Sequence, residues 1–307
     1  MFKKLMASLI TTIGTLAANT SGIVIVKTAE IEALNAAERG IVDYLEALKM
    51  PYKSETCQGN AALAAQILSK YANNEVDVVV TIGTMPSQVS AKLVKEGRLK
   101  NLVFAAVTDP ASFRKKNITG VSDYVLPKPQ LKIFKEIQPN LKRLGVIYNT
   151  GEANSVAIIK EMRKAARECE IELIEQGIQK SSDIPQATNA LAAKVDAIFI
   201  NNDNTALCGI SLIISICNKY QIPVYVSDTD EVEKGCVAAL GPNQYELGKQ
   251  AGKMIEKIKN GTNINDIKIE YPDRNELFIN LEAAEKIGLK ISKEVLAKAD
   301  KIIGNAK

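Results

Sequence analysis

The chain has 307 residues, 46% hydrophobic and 24% charged, which excludes the disordered and fibrous classes and fits two domains of about 100 to 200 residues each. Its 39 basic and 35 acidic residues give a net charge of +4, with no long Lys/Arg block to mark a nucleic-acid or polybasic membrane surface. Histidine is absent, which removes Ser/His and Cys/His nucleophile pairs and most catalytic zinc sites.

The first residues read MFKKLMASLITTIGTLAANTSG, with charged Lys3 and Lys4 followed by an apolar stretch from Leu5 to Ala18. This is the three-part form of a secretory signal peptide over residues 1–21, with Thr15 and Ala17 giving a small-x-small site for cleavage near Ala17 or Ala18. The apolar run is shorter than the roughly 20 residues of a membrane span and is interrupted by Thr11, Thr12, Gly14 and Thr15. No cysteine lies near the cut, so the expectation is a soluble periplasmic protein without a lipid anchor.

From Ile23 short β-branched runs alternate with amphipathic helices. IVIVK (Ile23 to Lys27) leads into a helix whose apolar face carries Leu34, Ala37, Ile41, Tyr44, Leu45 and Leu48. Strands are expected at YKSETCQ from Tyr52, VDVVVTIG from Val76 and LVFAAVTD from Leu102 to Asp109, with a helix from Ala61 to Tyr71. The segment Ser122 to Pro139, which holds Pro127, Pro129 and Pro139, reads as a crossing between halves. The pattern then restarts. Strands are expected at Leu144 to Asn149, from Ile171, at Asp196 to Asp203, Pro223 to Asp228 and Cys236 to Gly241, with helices ending near Cys169 and Lys219. A helix from about Asn243 to Asn260 suggests a return to the first half before IKIEYPD and ELFINLEAAEKIG. The whole predicts an α/β protein of two doubly wound parallel-sheet lobes, with 22–124 plus 242–265 in one and 125–241 plus 266–307 in the other. Strand-end residues of both lobes then face one cleft.

Five scattered cysteines, Cys57, Cys169, Cys208, Cys217 and Cys236, make no C-x-x-C pair and read as small core residues, with Cys208 and Cys217 on one helix. GPNQYELGKQ at Gly241 fails as a phosphate loop because Asn243 and Gln250 stand where Gly and Ser/Thr are required. Gly248 and Gly252, one helical turn apart, read instead as a close packing contact. VVVTIGTMPSQ, Val78 to Gln88, is a strand, a turn and a helix start that offers N–H groups and Thr84, Ser87 and Gln88 to an anion. YNTGEANS repeats the arrangement with Tyr148, Asn154 and Ser155. Asp203 and Asp228 stand just past strand ends and can receive an ammonium or hydroxyl group, although Asp203 can equally cap the next helix. Asp109 reads as a turn residue, and Asp230 with Glu231 as an exposed acidic turn.

VFAAVTDPASF, NITGVSD, LGVIYNTGEANS, PVYVSDTDEVEKG and ALGPNQYELGKQAGKM together resemble the recurring blocks of ABC transporter substrate-binding proteins of the tryptophan/tyrosine type, in order and over almost the whole mature chain. The resemblance implies a type I periplasmic-binding-protein fold with a three-strand hinge and delivery of a small solute to membrane permease subunits; because closure would present the lobe edges to the permease, a monomer is expected, with no cofactor or metal. By position it places ligand contacts at Thr84, Ser87, Gln88, Asn154, Ser155, Asp203 and Asp228. One departure falls in the loop after the first strand, where the family often has His-Pro and this chain reads Ile31-Glu32 before Ala33-Leu34-Asn35.

The chemistry suits an α-amino acid, with helix starts for its carboxylate and Asp203 and Asp228 for its ammonium. The resemblance favours an aromatic or other large apolar side chain, against which Tyr124 or Tyr148 could stack. A sugar or nucleoside is the alternative ligand. A regulator's effector-binding core shares the architecture but needs an N-terminal helix-turn-helix, and an enzyme would have to work without histidine or a phosphate loop.

Overall fold

Ile23–Lys27 (β1), with all five residues buried, forms the spine of the first sheet. A computed structural model describes residues 22–72 and 76–304, and the expected signal peptide lies outside them. β1 pairs in parallel with Lys53–Thr56 (β2) on one side and Val78–Ile82 (β3) on the other. Leu102–Ala105 (β4) and Ile118–Val121 (β5) complete the order β2-β1-β3-β4-β5. Continuous apolar runs such as VVVTI are what a parallel sheet covered on both faces selects. Glu32–Ala47 (α1), Ala61–Lys70 (α2) and Thr84–Lys95 (α3) cover it.

The chain crosses after β5 and forms Pro127–Ile137 (α4), a helix inside the segment expected to be a plain crossing. Pro127 opens it, where a missing N–H costs nothing because the first turn has no intrahelical acceptor. Leu131, Phe134 and Ile137 recur on its buried face. Arg143–Asn149 (β6), Ala153–Glu168 (α5), Glu172–Ile178 (β7), Ile184–Ala192 (α6) and Ala197–Ile200 (β8) follow. Asn204–Cys208 (α7) and Ile210–Lys219 (α8) replace the single helix expected here, because the chain breaks at Gly209. Cys208 and Cys217 therefore sit on different helices. Cys208 is exposed and Cys169 half-buried, so only Cys57, Cys217 and Cys236 are the core residues expected of all five.

Val224–Val226 (β9) and Ala238–Gly241 (β10) extend the second sheet, after which the chain returns to the first lobe as Gln244–Lys259 (α9). It crosses a third time to Glu276–Asn280 (β11), Leu281–Lys286 (α10), Lys293–Leu296 (α11) and Lys301–Ile303 (β12). The second sheet runs β12-β11-β10-β9-β8-β6-β7, and it is not wholly parallel, since β10 and β11 pair antiparallel. Two crossings pair with each other through Ser122 N–H to Glu270 O at 2.9 Å and Glu270 N–H to Gly120 O at 3.0 Å.

α9 lies against α1 at backbone distance. A Cβ at Gly248 would meet the Ala37 carbonyl at 2.0 Å, and one at Gly252 would meet Tyr44 Cβ at 2.8 Å, the close contact the glycine spacing predicts. Tyr44 donates to Glu256 at 2.6 Å and Tyr245 to Asp43 at 2.9 Å across the same interface. Leu48, expected on the buried face of α1, falls one residue past its end and is 41% exposed. The contact fixes the start of α9, and with it Gln244, at the cleft.

Candidate functional site

The carboxyl ends of the strands of both sheets converge on a small cavity. From the first lobe come Ile31, Ala33 and Leu34 at the start of α1, Gly83 and Thr84 at the start of α3, and Ala106 and Thr108 beyond β4. Gly83 holds φ at 93°, and a Cβ there would meet Thr28 Oγ1 at 2.3 Å, so only glycine lets α3 begin at this point. Ala106 takes φ of 52°, an unusual value for alanine. This turn ends β4 earlier than the expected Asp109 and brings Thr108 to the cavity. The β1–α1 loop is pinned from below by Lys27, whose buried ammonium donates to Glu30 at 3.0 Å, Asn35 at 2.6 Å and Glu38 at 2.6 Å.

The second lobe supplies Asn154 at the start of α5, Asn202, Asn204 and Leu207 around the start of α7, and Asp228 after β9; the crossings supply Asp123 and Gln244. Asp123 is 4% exposed; its Oδ2 accepts from Asn202 Nδ2 at 2.7 Å, while Oδ1 has no partner. Asp228 is 2% exposed and accepts from Gln244 Nε2 at 3.1 Å, and Gln244 Oε1 is also unpartnered. Burial pushes both carboxyls up, and the proximity of Asp123, Glu231 and Asp230 pushes Asp228 further. No Lys or Arg is among the residues that line the cavity. The wall thus combines two acidic groups, unfilled acceptors and neutral donors, a set that suits a ligand bringing a positive group inward.

Of the residues the sequence singles out, Thr84, Asn154 and Asp228 line the cavity. Gln88 stands at a wider, more open mouth together with Thr84 and Asn154. The other expected residues stand behind the wall. Ser87 is buried and bonds to Gly83 O at 2.6 Å and Thr81 Oγ1 at 2.7 Å. Ser155 donates to Asp203 at 2.6 Å, and Asp203 also accepts from Asn149 N–H at 2.6 Å and from Ala206 N–H at 2.8 Å, which makes it the cap of α7. Burial and the nearby Glu152 carboxylate push Asp203 up to about 6. Tyr148 donates to Glu175 at 3.2 Å, away from the cavity, and Tyr124 lines a separate outer hollow beside Asp109 and Tyr271. Asp109 caps a short turn through Ala111 N–H at 3.2 Å. Asp230 and Glu231 are not the exposed turn expected: Glu231 is 0% exposed and paired with Lys234, and Asp230 is half-buried near Glu32 of the other lobe.

Thr108, Asp123, Asn202, Asn204 and Gln244 are the polar wall residues the sequence reading missed. Asp123 follows β5, a strand too short and too glycine-interrupted to stand out, and Gln244 looked like part of a helix body.

A family model described as ABC transporter substrate binding protein matches residues 22–303. A tyrosine-binding protein of Clostridioides difficile is 27% identical over 276 residues, covering 85% of this chain and 79% of its own. A conserved domain protein of Vibrio cholerae aligns at TM-score 0.86 and 33% identity over 91% of this chain and 98% of its own. An ABC domain from Streptococcus pneumoniae in complex with L-Trp aligns at TM-score 0.85 and 27% identity, over 92% of this chain and 100% of its own. The ligand-free, open structure of an adhesive substrate binding protein from Clostridium difficile aligns at only 0.68 with 25% identity, over 92% of this chain and 99% of its own.

Proposed function

The chain belongs to the family of ABC transporter substrate-binding proteins, and from that premise we propose that it is an exported, non-enzymatic receptor that closes two lobes around one free α-amino acid. The observation that carries the amino-acid reading is the pairing of chemistries in the cavity. Asp123 Oδ1, Asp228 and Gln244 Oε1 form an acceptor corner for an ammonium group. Thr84 and Asn154, in the first turns of the 12-residue α3 and the 16-residue α5, offer neutral donors and the positive ends of two helices to a carboxylate. The relatives' tyrosine and L-Trp ligands support the same class.

On this reading the ligand is carried to permease subunits for import by a periplasmic monomer. The lobes divide at the crossings, with 22–124 plus 242–265 moving against 125–241 plus 266–307. Calorimetric titration with each free amino acid, and with a panel of sugars and nucleosides, tests it. Binding of an amino acid alone supports the reading. Binding of a sugar or nucleoside alone would replace the ligand class and leave the receptor role.

A further inference from the structure

We propose that the cavity selects an aliphatic amino acid, of the leucine, isoleucine, valine or methionine kind, over an aromatic one. This rests on the amino-acid reading above. No aromatic side chain lines either the cavity or its mouth. Phe134 stacks on Tyr225 at 4.4 Å inside the second lobe, Phe104 packs on Phe113 at 5.3 Å inside the first, and Tyr148 is held by Glu175. An aromatic ligand would find no ring to meet edge-on or in a stack, the contacts that add selectivity to its burial.

What the cavity does present to an apolar side chain is branched and aliphatic. Ile31 and Leu34 approach from the first lobe and Leu207 from the second, each at most 7% exposed. These walls are held in place. Lys27 ties the loop bearing Ile31 to α1 through Glu30, Asn35 and Glu38. The α7 start below Leu207 is held by Asp203 and by Glu152, which accepts from Asn204 N–H and Thr205 N–H, both at 2.9 Å.

The test is competitive calorimetry on the full mature chain with leucine, isoleucine, valine and methionine against phenylalanine, tyrosine and tryptophan. The best aliphatic ligand should bind at least about tenfold more tightly than any aromatic one. An aromatic ligand that binds as tightly or more tightly overturns the selection and leaves the amino-acid reading standing, whereas no heat from any amino acid overturns that reading itself. Leu207→Ala should shift the phenylalanine-to-leucine affinity ratio toward phenylalanine by about tenfold. Ile31→Val, a one-methylene change compatible with the fold, should shift it the same way by a smaller factor. A ratio unmoved in the folded variants also overturns the proposal.

Discussion

Asp228 is a carboxyl whose ionised form the ligand-free cavity disfavours, by burial first and then by its acidic neighbours. An ammonium brought beside it reverses that balance, so ligand binding should release protons at neutral pH and weaken as the solution is acidified. Calorimetry in buffers of different ionisation enthalpy reads this directly, with an apparent enthalpy that tracks the buffer. The same physics sets a stability prediction. Because the folded pKa is raised, the native state binds more protons than the unfolded chain above the ordinary carboxyl range, and stability falls as pH rises through that interval. Asp228→Asn should therefore raise the ligand-free Tm at pH 7 while weakening amino-acid binding about tenfold or more, since a charge-assisted bond contributes roughly 1.5 to 3 kcal/mol. A variant with native affinity would remove Asp228 from the ligand corner.

Among the elements, α1 carries two different demands, because it packs on α9 and also faces the turn Thr229–Lys234 of the other lobe. Gly248→Ala sets a methyl against the Ala37 carbonyl, where 2.0 Å is available. The helices must part, at about 1 to 3 kcal/mol for overpacking, and Tm should drop by several degrees. On the other side, burial and the Glu32 carboxylate push Asp230 up to about 6, with Arg39 opposing them. Lobe opening relieves both causes, so ionised Asp230 resists closure. Asp230→Asn should tighten amino-acid binding severalfold at pH 7, and the gain should shrink as pH falls below about 6 and vanish only below the ordinary carboxyl value, about 3.8, where open and closed forms are both protonated. Titrations of the two proteins across this range check it. The sequence showed this scale well where periodicity was strong, as in β1, β3 and α9. It hid α4 behind Pro127 and Pro129, which in a first turn are helix starters and not breakers. Cavity-lining residues were legible where a strand end was legible, as with Thr84, Asn154 and Asp228. Asp203 and Ser155 occupy equally good positions but are consumed by capping and by each other, a distinction that only the hydrogen-bond partners reveal.

For the whole molecule the central claim is that an amino acid draws the two lobes together. The cleft is bridged by Asn202 to Asp123 and by Gln244 to Asp228, contacts that join the second lobe to the crossing segments and the start of α9. A ligand between these pairs adds bonds that exist only in the closed state, and it shifts the population by the difference in its affinity for the two states. Small-angle X-ray scattering of the mature chain, before and after addition of a millimolar mixture of the twenty free amino acids, measures this most directly. The account predicts a smaller radius of gyration and a curve that moves toward the one calculated for the closed lobes. Curves that superimpose, both with the larger radius of an open form, would contradict it.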